Sequence, residues 1–102
     1  MRYVLVLQWP GFSEADFNAL IGMEDTLTEA LGDHSRVDGH DFGTDEMNIF
    51  IETGDPAEAF SDALAVLGDD LRWAEVRAAS RDQTQDAYTI LWPQGLSAFS
   101  VK

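Results

Sequence analysis

The run Arg2–Trp9 (RYVLVLQW) restricts the fold more than any other part of this chain. It is β-branched and aromatic and is ended by Pro10-Gly11, which marks it as a strand. Both of its alternating sets, Val4/Val6 and Tyr3/Leu5/Leu7/Trp9, are largely apolar. A strand that is apolar on both faces belongs in the middle of a sheet, so the rest of the chain must supply a neighbour on each side of it.

The residues that follow can do so. Ser13 is an N-cap with Asp16 at the third helical position, and Phe17, Leu20, Ile21, Met23, Leu27, Ala30 and Leu31 form a stripe at spacings of three and four. Gly22 inside that helix reads as a point of close approach to the sheet, and Gly32 as a left-handed stop. Ser35–Phe42 and Glu46–Thr53 read as a hairpin around Gly43-Thr44. Its register stays open, because a two-residue turn pairs His40 with Met47 and one more loop residue pairs Asp41 with Met47. Asp55-Pro56-Ala57-Glu58 starts a second helix, with Phe60, Ala63, Leu64 and Leu67 as its buried stripe and Gly68 as its end. Leu71–Ala79 reads as a strand, Ser80–Asp86 as a polar loop and Ala87–Trp92 as a further strand. Residues 93–102 form a flexible or docking tail with alternating Leu96, Phe99 and Val101. An L-G-D-x-x-R echo at Leu31–Arg36 and Leu67–Arg72 marks two similar halves.

This succession, βαββαβ plus one strand, is the ferredoxin-like plan of an α+β two-layer sandwich. It implies one domain over residues 1–102, an antiparallel sheet of order 4-1-3-2, and both helices on one face. Whether Ala87–Trp92 pairs beside the fourth strand or crosses to a second subunit stays open.

Charge narrows the partners. Between Ser13 and Asp70 there are sixteen carboxylates and one base, Arg36, and the whole chain carries a formal charge of −13. Nucleic-acid and anionic-membrane binding need clustered Lys and Arg and are disfavoured. There is no cysteine, hence no thiol chemistry, and no apolar run reaches the roughly 18 residues of a membrane span. Tyr3–Leu7 is too short an apolar run for a signal peptide, so a cytoplasmic protein is expected.

The densest polar cluster is Asp38, His40, Asp41, Asp45 and Glu46, in the hairpin. Alternation places Asp38 and His40 on one strand face and Asp41 on the other, with the edge facing away from Arg72 and Arg77. An imidazole between carboxylates could hold a divalent ion or act as a base, but no metal-loop spacing accompanies it, and no metal or cofactor is expected. On the sheet face away from the helices, Asn48, Phe50, Trp73 and Glu75 are expected, with Trp9 and Trp92 beside them. An exposed aromatic face of that kind fits a partner or a second copy of the chain. Phosphate-loop, nucleophile-elbow and dinucleotide patterns are absent, so no catalytic residue is assigned.

The run Val37-Asp38-Gly39-His40-Asp41-Phe42-Gly43, then Glu46–Ile51, Thr53 and Asp55-Pro56, resembles a pattern in small uncharacterised acidic bacterial proteins of ferredoxin-like architecture. Some of these are similar to immunity proteins encoded beside secreted toxins. The resemblance implies a stoichiometric protein-binding module. The resulting expectation is a non-enzymatic, immunity-like inhibitor of a basic protein. The alternative is a small ligand-binding protein or cofactor-free enzyme that uses the open sheet face.

Overall fold

The computed structural model describes residues 1–43 and 45–101. Thr44, the second residue of the expected hairpin turn, and Lys102, at the end of the expected tail, lie outside the described residues. The elements are β1 (Tyr3–Pro10), α1 (Glu14–Ala30), β2 (Ser35–Phe42), β3 (Glu46–Thr53) and α2 (Pro56–Leu67). A short 3-10 helix (Leu71–Glu75), β4 (Arg77–Asp82) and β5 (Thr89–Trp92) follow. The chain is α+β, with one five-stranded antiparallel sheet in the order β2-β3-β1-β4-β5. β1 lies in the middle, between β3 and β4, and β5 pairs with β4 of its own chain.

Both helices pack on one face of the sheet. Leu5, Leu7 and Trp9 of β1 and Met47, Ile49 and Ile51 of β3 meet Leu20, Met23 and Leu27 of α1 and Ala59, Ala63 and Leu67 of α2. Trp73 stacks on Phe60 at 5.7 Å and meets Trp9 edge-on at 6.5 Å, closing one side of this core. The Trp9 indole N–H is buried without an acceptor among the described residues. The ring's packing has to offset that loss.

Helix α1 starts on a reciprocal cap. Ser13 Oγ accepts from the Asp16 backbone N–H, while the Asp16 carboxylate accepts from the backbone N–H groups of Phe12 and Ser13. It ends at Leu31 in extended conformation, and Gly32 does not take the left-handed conformation expected of it. At the start of α2 the Asp55 carboxylate accepts from the Glu58 N–H, with Pro56 in the first turn.

Two glycines separate by what surrounds them. Gly22 is exposed, and a Cβ there would meet nothing within 4 Å, so it does not mediate the expected close approach to the sheet. Gly22→Ala is therefore expected to stabilise the chain by about 1 kcal/mol, the usual helix-interior difference. Gly68 has ordinary helical φ, but a Cβ there would lie 2.5 Å from the Leu64 carbonyl oxygen. Gly68→Ala is expected to destabilise, and paired denaturant melts of the two variants should show opposite signs.

The stretch expected as a long fourth strand is split. The Asp70 carboxylate accepts from the Arg72 N–H, the Asp70 carbonyl from the Trp73 N–H, and the Trp73 carbonyl from the Val76 N–H. These bonds wind Leu71–Glu75 into a turn of 3-10 helix before β4 begins. The second L-G-D-x-x-R copy therefore joins a helix to a 3-10 turn rather than directly to a strand. β4 takes up Ser80–Asp82 of the expected loop, and β5 starts at Thr89 instead of Ala87. Leu64, expected on the buried stripe of α2, is 46% exposed.

Candidate functional site

A single extra residue in β2 distributes the expected hairpin cluster. Val37 lies opposite Ile51 and Gly39 opposite Phe50, which leaves Asp38 without a cross-strand partner. This bulge switches the helix-facing positions of β2 from Val37 to His40 and Phe42. The pairing is Phe42 with Met47 and His40 with Ile49, neither of the two registers weighed from the sequence. A signal for it was present. Val37 and Phe42, the large apolar residues of β2, are an odd number apart and cannot share one face of a regular strand.

The cluster residues consequently do not converge. Asp38 is exposed at the sheet edge. His40 faces α1, where its Nδ1–H lies 3.0 Å from both carboxylate oxygens of Glu24 and its ring meets Phe17 edge-on at 6.0 Å. Asp41 pairs with Asn48, whose side chain joins the polar network of the opposite face. Asp38, His40 and Asp41 thus do not form a metal site, and no group of three or more His, Asp or Glu able to hold a metal occurs among the described residues.

The sheet face away from the helices is ordered in cross-strand rows. Arg77, Gln8, Asn48 and Asp41 make one row across β4, β1, β3 and β2. Ala79, Val6, Phe50 and Gly39 make the next, and Arg81, Val4, Glu52 and Arg36 a third. Val6 and Asn48 are fully buried although no helix covers them. The segment after β5 folds back over this face: the Ser100 carbonyl accepts from Gln8 Nε2 at 3.0 Å, and Phe99 packs on Tyr88 at 5.1 Å.

Gln8 is the centre of a buried polar network. Its Nε2 donates to Asn48 Oδ1 at 3.0 Å and lies 3.2 Å from Glu46 Oε2, which also accepts from Asn48 Nδ2 at 3.2 Å. Gln8, Glu46 and Asn48 are all buried. Their mutual pairing is what makes three polar side chains tolerable there. Beside the network, under the C-terminal segment, lies a cavity of about 390 Å³. Gln8, Asp45, Glu46 and Arg77 supply its polar lining, and Pro10, Phe12 and Phe99 much of its apolar lining.

Several expectations for this region are corrected. Trp73 lies in the helix-side core and Glu75 is exposed on the 3-10 turn, so neither belongs to the open face with Asn48 and Phe50. Trp9 shares the helix-facing set of Leu5 and Leu7, and Trp92 pairs with Ala78 and approaches Phe60 at 6.4 Å. All three tryptophans are thus on the helix side. Arg77 shares the cavity with Asp45 and Glu46, so that end of the hairpin does not face away from it. Arg72 donates to Asp16 Oδ1 at 2.7 Å and ties the 3-10 turn to the start of α1. The cavity residues were missed because they come from four separate segments, and only the fold brings them together.

Two carboxyls carry a pH signature. Asp16 is held well below the usual carboxylate range by the Phe12 backbone N–H, then by the Arg72 guanidinium and the Ser13 N–H. Asp82 is lowered to about 2 by the Thr84 backbone N–H, the Arg2 guanidinium and the Thr84 hydroxyl. A carboxyl lowered on folding stabilises the fold above its unfolded value, about 3.9, and loses that contribution as pH falls through the folded value. The stability gap between wild type and Asp16→Asn is therefore expected to be full near neutrality and to close below about pH 4. Melts of both chains from pH 7 to pH 2 measure it, and a constant gap would refute the assignment.

Together these elements define an α+β protein with two helices on one sheet face and a small cavity on the other. Comparison of the chain with protein-family models, curated protein sequences and solved structures gave no match. No helix among the described residues is long and apolar enough to cross a membrane.

Proposed function

We propose that this chain is a non-enzymatic binding protein of ferredoxin-like arrangement, which meets a basic protein partner through the side formed by α1 and the edge strand β2. The observation that carries this reading is the charge of that side. Asp25, Glu29, Asp33 and Asp38 are exposed, and the one base of residues 13–70, Arg36, is bound to Glu52. An acidic surface of this kind speeds encounter with a cationic partner and repels anionic ones. The open edge of β2 carries a bulge and charges, which suit a specific contact better than indiscriminate strand pairing. The concrete form is an inhibitor that occupies its target one to one, as the resemblance to immunity-type proteins also suggests.

His40, Asn48, Trp73 and Glu75, the residues expected to serve a ligand-binding protein or cofactor-free enzyme on the open face, lie in different surroundings. The partner reading is tested with two charge-matched variants. One reverses Asp25, Glu29 and Asp38 to lysine; the control reverses Asp62, Asp69 and Glu75. A basic protein retained from native lysate by wild type and control, released by the first variant and weakened by salt, is the expected result. No retained protein, equal loss in both variants, or indifference to salt would overturn it.

A further inference from the structure

The charge of this chain is missing from one stretch. Residues 87–101 hold no charged side chain, the longest such run in a sequence of which one residue in four is charged. Within that run lies β5, Thr89-Ile90-Leu91-Trp92, at the end of the sheet. We propose that the outer edge of β5 and the neighbouring flank of α2 form the contact of a homodimer, in which two copies pair their β5 strands antiparallel about a two-fold axis.

The edge is open. Among the described residues Thr89–Trp92 bond only to β4, so the backbone donors and acceptors on their outer side have no partner within the chain. Such an edge is commonly shielded by charge, as β2 is by Arg36, Asp38 and its bulge. β5 has neither charge nor proline, and its own extra residue, Leu91, packs against the core. The surface beside it is apolar as well. Trp92 is 41% exposed and lies 6.4 Å from Phe60 of α2, and Leu64, one turn further along that helix, is 46% exposed. Helical spacing puts Glu58 and Asp62 on the opposite side of α2 from Phe60 and Leu64.

Charge and symmetry select a second copy as the occupant. A basic partner gains nothing at a surface without carboxylates, whereas two chains of charge −13 can meet here without opposing their acids. An open strand edge takes another strand, and β2, bulged and charged, is poorly suited to supply it. Antiparallel pairing of β5 with β5 is self-complementary, occupies both open edges at once and closes the assembly at two. The two-fold also sets both α2 flanks on one side of the joint sheet, facing each other across the seam. There Trp92 supplies the kind of aromatic anchor on which interfaces depend.

Analytical ultracentrifugation of the full chain, from micromolar to submillimolar concentration and at low and high salt, tests the proposal. A monomer–dimer equilibrium is expected, and salt should tighten it, because screening weakens the repulsion between the acidic bodies. That is opposite to the salt effect expected for a basic partner at α1 and β2, so the two readings stand or fall separately. Leu64→Glu and Thr89→Glu, both at exposed positions, set like charges at the seam and should weaken the dimer at least about tenfold. Both should keep the melting temperature that wild type shows in dilute solution. Gly22→Glu, which adds the same charge on α1, should leave the dimer unchanged. Hydrogen exchange of the wild type is a second readout: amides of residues 89–92 should slow as concentration rises. A monomer throughout, growth beyond the dimer, weakening by salt, or a dimer indifferent to Leu64→Glu and Thr89→Glu would each overturn the proposal. Equal weakening by Gly22→Glu, or exchange at residues 89–92 that ignores concentration, would do the same.

Discussion

Gln8→Leu is expected to lower the stability of this chain by about 2–4 kcal/mol, although leucine suits a central strand at least as well as glutamine. The cost comes from what the amide leaves behind. Asn48 stays buried without the donor that Gln8 supplied, the buried Glu46 carboxylate loses the neighbouring amide, and the Ser100 carbonyl loses its donor on the sheet. In a domain of this size the loss corresponds to a melting-temperature drop of roughly 10–20 °C. A second readout separates this cause from a simple packing defect: hydrogen exchange at residues 98–101 should accelerate in the variant more than exchange in α1. A loss under about 1 kcal/mol with unchanged exchange would mean that the network is dispensable.

Leu27→Ala should have an effect of similar or larger size, for a different reason. Leu27 is fully buried, on the α1 stripe that meets the sheet. Its truncation removes transfer free energy and opens a cavity, together about 2–5 kcal/mol. Leu71 provides the contrast: it is 93% exposed on the 3-10 turn, and Leu71→Ser should stay within about 0.5 kcal/mol of wild type. Chemical denaturation of the pair decides whether the α1 stripe or general leucine content holds the fold. Comparable losses in both would contradict the described core.

What could be read beforehand, and what could not, divides along physical lines. Tyr3–Trp9, the Ser13/Asp16 cap and the Asp55-Pro56 start carry their instructions within a few residues, through alternation and capping chemistry. The structure has β1 in the sheet centre and α1 and α2 at these starts. Leu71–Glu75 misled because Trp73, Ala74 and Val76 satisfy a strand pattern while the Asp70 bonds and the Phe60–Trp73 stack decide the local conformation. The hairpin acids were legible as a cluster in sequence but not in space, because one bulge residue turns His40 toward Glu24. The cavity had no local signature at all. Gln8, Glu46, Arg77 and Phe99 come to line one cavity only through strand register and the return of the C-terminal segment.

The central position of β1 also has a consequence for synthesis on the ribosome. Its two neighbours are made late, β3 after a helix and a strand, and β4 only after the second helix as well. A nascent chain that has reached the end of β3 can pair one side of β1, while Leu5–Leu7 still offer a bare apolar edge on the other. Ribosome stalling between β3 and β4 would therefore release a fragment prone to stick to copies of itself. Passage through α2 is the interval in which β1 still lacks its second neighbour.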